Sequence, residues 1–174
     1  MKILILYSSI DGQTKNISQK IQEILSFKND VELLPIESSL SLDLSSFSKI
    51  IIGASIRYGK HKPEVYNFIK INKQILNKTK NAFFSVNVVA RKQEKNTPET
   101  NPYIKKFLKI SNWEPDIMDV FAGKIDYPSY GFFDKYIIRL IMFVTKGPTN
   151  ITKSYEFTDW EKVENFAKKV DLVS

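Results

Sequence analysis

The chain reads as an α/β protein built on a doubly wound parallel sheet, and three observations carry that reading. Strand-like apolar runs alternate with helix-like runs along its 174 residues, the pattern of parallel strands joined by crossover helices. Most of the apolar runs are near-continuous in Ile, Leu, Val and Phe, as strands covered on both faces are. The first run, Ile3 to Tyr7, passes through a short loop of Ser, Asp and Gly directly into a helical pattern.

Taken in order, the predicted strands are Lys2–Tyr7, Val31–Ile36, Lys49–Ala54, Ala82–Val89, Ile117–Ala122 and Ser154–Phe157. Pro35 has no amide to donate, which places the second strand at a sheet edge. The predicted helices are Gln13–Phe27, Pro63–Asn77, Pro98–Ile110 and Asp159–Leu172. Ile17, Ile21, Ile24 and Leu25 repeat at helical spacing in the first, and Val65, Phe68, Ile69 and Leu76 in the second. Pro63 and Pro98 suit a first helical turn. Thr158 or Asp159 is placed to cap the last helix. Residues 124–153 break the alternation. Within them, Phe132–Val144 holds ten apolar residues in thirteen. No repeat or linker divides the chain, so a single domain spanning 1–174 is expected.

Composition closes off several chemistries. The chain has no Cys, which removes disulfides, thiolate metal sites and Cys nucleophiles, and its one His makes a His-based metal site implausible; no metal is expected. No basic and apolar leader follows Met1, and no apolar run approaches the roughly 20 residues of a bilayer-spanning helix. A cytoplasmic protein is therefore expected. The net charge of +7 is concentrated in three basic segments, 57–73, 91–109 and 124–153. That field suits an anionic ligand or an anionic surface; taken alone it is equally the mark of a Lys-rich solvated exterior.

The loop Ser8, Ser9, Ile10, Asp11, Gly12, Gln13, Thr14 lacks the Gly-Lys-Ser/Thr end of a Walker loop and has one Gly where a dinucleotide fingerprint needs three. Its hydroxyls and amides instead suit a phosphate monoester held by neutral donors at a helix N-terminus. An ordinary strand-to-helix turn has the same spacing. Asp11 is expected to orient the loop by accepting local N–H groups. Two further loops, Gly53–Gly59 and Ser85–Lys92, belong on the same sheet edge, where ligands of open α/β sheets bind. Tyr58 is suited to stack on a flat ring. Arg57 and Arg91 are candidate anion clamps if they converge, and solvated charges otherwise. His61 reads as a partly exposed residue rather than a proton relay.

These motifs together resemble a known family. DGQT at 11–14, GASIRYG at 53–59, SVNVVARK at 85–92, the segment 97–108, AGKIDYP at 122–128, the aromatic–basic insert of 130–147 and TDW at 158–160 resemble the menaquinone-dependent protoporphyrinogen IX dehydrogenases, a flavodoxin-like family of haem biosynthesis. The resemblance covers almost the whole chain. It implies a flavodoxin-like five-stranded sheet of order 2-1-3-4-5, with the insert interrupting the last strand. It implies FMN as cofactor, its phosphate on Ser9, Ile10, Asp11, Gly12, Gln13 and Thr14. The flavin ring would lie between Ala54, Ser55, Ile56, Arg57, Tyr58 and Gly59 on one side and Ser85, Val86 and Asn87 on the other. Protoporphyrinogen IX and menaquinone are the implied partners, with FMN carrying the redox chemistry. Arg57, Arg91, Lys135 and Arg139 are the foremost candidates to hold the propionates.

A bilayer-dwelling quinone gives the apolar insert a use. As an interfacial helix, Phe132–Val144 would bury its apolar face in the cytoplasmic side of the cell membrane, with Lys135 and Arg139 at anionic headgroups. Packing on the domain's own core, or on a second subunit in a homo-oligomer, would cover the same residues. Two other functions fit the sequence less well. A flavodoxin-type carrier or FMN-dependent quinone reductase shares the cofactor, but carriers are commonly acidic and this chain has a pI near 9.4. A nucleic-acid-binding module is disfavoured, because no binding motif is present.

Overall fold

A computed structural model describes residues 1–173, with the side chains of all but residues 40 and 41. Five parallel strands, β1 (Lys2–Ser8), β2 (Asp30–Pro35), β3 (Lys49–Ser55), β4 (Lys80–Val86) and β5 (Ile117–Phe121), form one sheet in the order β2-β1-β3-β4-β5. Alternate residues along the central strands feed two separate cores, because successive side chains of a strand point to opposite faces. Leu4, Leu6, Ile50, Ile52 and Phe83 pack under helices α2 (Pro63–Leu76) and α3 (Pro102–Ser111). Ile3, Ile5, Ile51 and Phe84 pack under α1 (Gln13–Leu25) and α5 (Trp160–Leu172). Burying each such side chain contributes about 1.5–3 kcal/mol before the entropy of ordering is counted. The central strands β1, β3 and β4 therefore have no wet face and are apolar along most of their length, whereas the edge strand β2 is only half-buried.

Local chemistry sets the boundaries. β2 lies at the edge, as Pro35 requires, and stops there; Ile36 opens a 3-10 turn. β4 ends at Val86, three residues short of the expected Val89. Asn87 accepts a hydrogen bond from the Ala90 amide at 3.1 Å and folds 88–91 into a 3-10 turn. α3 starts at Pro102 rather than Pro98, because Asn101 is its cap, accepting from the Tyr103 amide at 3.0 Å. Asp159 caps α5 through the Lys162 amide at 3.0 Å, while Thr158 donates to the Ala122 carbonyl. The buried Lys49 ammonium donates to the carbonyls of Val170 and Asp171, closing the far end of α5. Gly53 offers space to the core rather than to a ligand: a Cβ there would meet the Phe84 ring at 2.1 Å.

The insert leaves after β5, but its return does not rejoin the main sheet. The expected strand at 154–157 forms as β7 (Ser154–Glu156) and pairs antiparallel with β6 (Lys124–Asp126) in a two-stranded ribbon of its own. Gly123 accepts from the Phe157 amide at the base of this ribbon. Between the two short strands lies α4 (Phe132–Val144). A small satellite core of Ile125, Tyr127, Tyr130 and Met142 fastens it to the domain.

Candidate functional site

Four segments meet at the C-terminal edge of the sheet and enclose a cleft of about 190 Å³. The floor begins with the loop after β1. There Ser9 Oγ accepts from the Gly12 amide at 3.1 Å, and Gly12 takes the left-handed conformation, φ 87°, that turns the chain into α1. The amides of the first turn of α1 have no intrahelical acceptor, as at any helix start. Thr14 lines the cleft, and its buried hydroxyl has no hydrogen-bond partner among the described residues. A buried hydroxyl left unpaired costs about 1–3 kcal/mol, and a ligand acceptor at this end of the cleft would remove that cost. The Gln13 side chain is turned away, donating to Glu156 and Thr158. This donor set of hydroxyl and amides without a lysine fits a phosphate monoester.

The second wall is the segment after β3. Arg57 and Lys60 exchange backbone hydrogen bonds around Tyr58 and Gly59, whose φ values are 49° and 75°. Two successive positive φ angles make a type I′ turn. Gly accepts that conformation freely, whereas Tyr58 is strained, at a cost on the order of 1 kcal/mol. The turn holds the half-exposed Tyr58 ring at the mouth of the cleft. The third wall is Val86 to Val89, and the fourth is the insert. On α4, Asp134, Ile138, Ile141 and Met142 share one helical face, and the last three line the cleft beside Tyr130.

Arg57 joins these walls. Its Nη1 donates to Asp11 Oδ2 and its Nη2 to Asp134 Oδ2, both at 2.6 Å. The guanidinium also lies 5.3 Å from the ring centroids of Tyr58 and Tyr130. Burial opposes its charge, but the carboxylates of Asp11 and Asp134 outweigh that and hold its pKa above the ordinary value. Asp134 in turn is held below the usual carboxylate range by hydrogen bonds from Tyr58 and Arg57. Asp11 is thus directed to Arg57, not to the local amides expected of it. Burial pushes the Tyr130 hydroxyl up to about 12.

Of the residues expected to hold the cofactor, Ser9, Asp11, Gln13, Thr14, Ser55, Ile56, Arg57, Tyr58, Gly59, Val86 and Asn87 line the cleft. Ala54 and Ser85 are buried in the sheet behind it, and Ile10 and Gly12 shape the loop around it. Arg91 does not converge with Arg57. Its guanidinium donates to the Val88 carbonyl and to the carbonyl and hydroxyl of Thr145, tying the 88–91 turn to the end of α4. Lys135 is half-buried and Arg139 exposed on α4. His61, expected near the surface, is buried. Its Nε2 lies 3.0 Å from Ser85 Oγ, and desolvation lowers its pKa to about 4, so it is neutral and inside the wall. Tyr103, Lys124, Tyr130, Ile138, Ile141 and Met142 complete the cleft without having been singled out. The 138/141/142 spacing was their available signal.

A flavodoxin-domain family model matches residues 4–152. A protoporphyrinogen IX dehydrogenase [quinone] from Escherichia coli K12 is 40% identical over 171 residues, covering 98% of this chain and 94% of that protein. One of the same description from Leishmania major is 44% identical over 168 residues, covering 95% and 73% respectively. The chain belongs to the quinone-dependent protoporphyrinogen IX dehydrogenase family of oxidoreductases. Solved flavodoxins share the fold of this dehydrogenase family member. Oxidised flavodoxin 1 of Bacillus cereus superposes with a TM-score of 0.57 at 14% identity over all of both chains. Flavodoxin 2 of the same organism gives 0.55 at 22% identity, covering 98% and 97%. In this dehydrogenase the sheet order is the expected 2-1-3-4-5, and the cleft lies at its C-terminal edge, between the domain and its insert.

Proposed function

We propose that this protein oxidises protoporphyrinogen IX to protoporphyrin IX in haem biosynthesis, with FMN as its resident cofactor and menaquinone as electron acceptor. The observation that carries the reading is the unpartnered Thr14 hydroxyl in a lysine-free loop at the head of α1, inside a cleft of a quinone-dependent dehydrogenase family member. Ser9 to Thr14 would hold the phosphate, and Ser55 to Gly59 with Val86 and Asn87 the ring system. FMN held there would supply the two-electron chemistry between the macrocycle and the quinone. The chain's own residues do the rest. Ile138, Ile141 and Met142 keep water from the cleft, Tyr58 offers a stacking surface, and Arg57, Lys135 and Arg139 attract the propionates.

The outer face of α4 supports placement at a membrane surface. Phe132, Phe133, Leu140, Phe143 and Val144 are exposed, with Lys135, Arg139 and Lys146 on the same segment. No helix among the described residues is long and apolar enough to cross a membrane, so attachment would be peripheral, at the anionic cytoplasmic face where the quinone is dissolved. A few side chains at about 1.5–3 kcal/mol each are enough for reversible binding. The deciding experiment adds protoporphyrinogen IX anaerobically to the FMN-reconstituted protein and then a menaquinone analogue. The flavin absorbance should bleach and return. A protein that stays colourless after reconstitution, or a flavin that never bleaches, overturns the reading.

A further inference from the structure

The Arg57 side chain faces the cleft, yet its outward edge is taken by a carboxylate that belongs to the insert. Asp134 is not needed there for packing, since Met142 is the only fully buried residue of α4. It receives one hydrogen bond from Arg57 at 2.6 Å and another from the Tyr58 hydroxyl, across 77 and 76 positions of sequence. A guanidinium with a phenol beside it is a recognition site for a single carboxylate. A macrocycle entering between the 57–60 turn and α4 parts this contact only where it brings a carboxylate that Arg57 and Tyr58 can take in exchange; an uncharged ester leaves it in place. In that exchange Nη2 passes from one carboxylate to another while Nη1 keeps Asp11.

We propose that Arg57 and Tyr58 form the carboxylate subsite for one propionate of the porphyrinogen substrate and its porphyrin product, and that Asp134 fills this subsite as an internal stand-in which the propionate displaces. The inference rests on the porphyrin reading above. Asp134 is in this scheme a positioning residue: it keeps α4 closed and competes with ligands that carry a free carboxylate. Ligands without one gain nothing from its removal.

The test titrates FMN-reconstituted wild type, Asp134→Asn and Asp134→Glu with protoporphyrin IX and with its dimethyl ester in nonionic detergent, following porphyrin fluorescence. Asp134→Asn should bind the free acid about fivefold more tightly, the size of one partly exposed ionic contact, and the ester unchanged. Asp134→Glu should restore the wild-type value. Amide hydrogen exchange in 132–141 should rise in Asp134→Asn with no porphyrin added. Free-acid affinity that stays level or weakens in Asp134→Asn overturns the proposal, as does an equal gain for the ester, which would make Asp134 a plain fastening. Wild type that binds neither porphyrin overturns the porphyrin reading and this inference with it.

Discussion

Arg57 Nη2 and Asp134 Oδ2 meet at 2.6 Å across the mouth of the cleft, linking the turn after β3 to the first turn of α4. Asp11 completes the bridge from the loop after β1, also at 2.6 Å. One guanidinium thereby ties together three separate segments of the cleft wall. Arg57→Met is expected to lower stability by about 1–2 kcal/mol at low salt and by less at high salt, measured by urea unfolding at two ionic strengths. Loss that is independent of salt would show that packing on Tyr58 and Tyr130, rather than charge, is the main contribution of Arg57.

Thr14→Val tests the phosphate loop with little change of shape. The variant should bind FMN about tenfold more weakly, the worth of one hydrogen bond to a charged group, as followed by quenching of flavin fluorescence. Because the buried hydroxyl has no protein partner, the apoprotein should melt at the same temperature as wild type or slightly higher. Unchanged FMN affinity would place the phosphate elsewhere.

His61 gives the fold an acid-sensitive point. The unfolded chain takes a proton on this side chain near pH 6.5 and the folded one near 4, chiefly because the ring is desolvated. Between those values the unfolded state binds more protons, so stability present above pH 6.5 is lost as the pH falls toward 4. The contribution is about 3 kcal/mol at its fullest. His61→Gln should remove that part of the slope, so that calorimetry finds the gap between wild type and variant narrowing from neutral pH to pH 4. A gap that is constant over this range would mean that the ring titrates normally.

The outer face of α4 is open to a direct test. Phe133 is 80% exposed and Leu140 63%, so Phe133→Asp with Leu140→Asp should leave the melting temperature and FMN binding intact. Co-sedimentation with vesicles containing anionic lipid should fall at least tenfold, reflecting two lost apolar insertions and two added like-charge repulsions. Undiminished sedimentation would remove α4 from the lipid contact.

The central sheet was legible because strands covered on both faces must be apolar at every position; Ile3 to Leu6 and Ile50 to Ile52 could scarcely be anything else. Pro35 marked the edge for an equally local reason. The cleft-lining loops were legible through their small and hydroxylic residues at strand ends. What escaped depended on distant partners. His61 looked like a surface residue until Ser85 and Tyr66, supplied by β4 and α2, enclosed it. Arg91 looked free until Thr145 came back to meet it. Asp134 was one acid in an apolar run, and only the closure of the insert put it opposite Arg57. The return strand at 154–156 had the right composition, but nothing local told it to pair with β6 instead of β4.

The ribbon of β6 and β7 sets Asp126 and Ser154 side by side as paired positions. The arm that departs at one and comes home at the other thus attaches at a single neck. It is a cassette: replaced by a tight two-residue hairpin, it would leave the parallel sheet and both its hydrophobic layers whole. Lineages are then free to reshape the cap while the sheet beneath it stays the same.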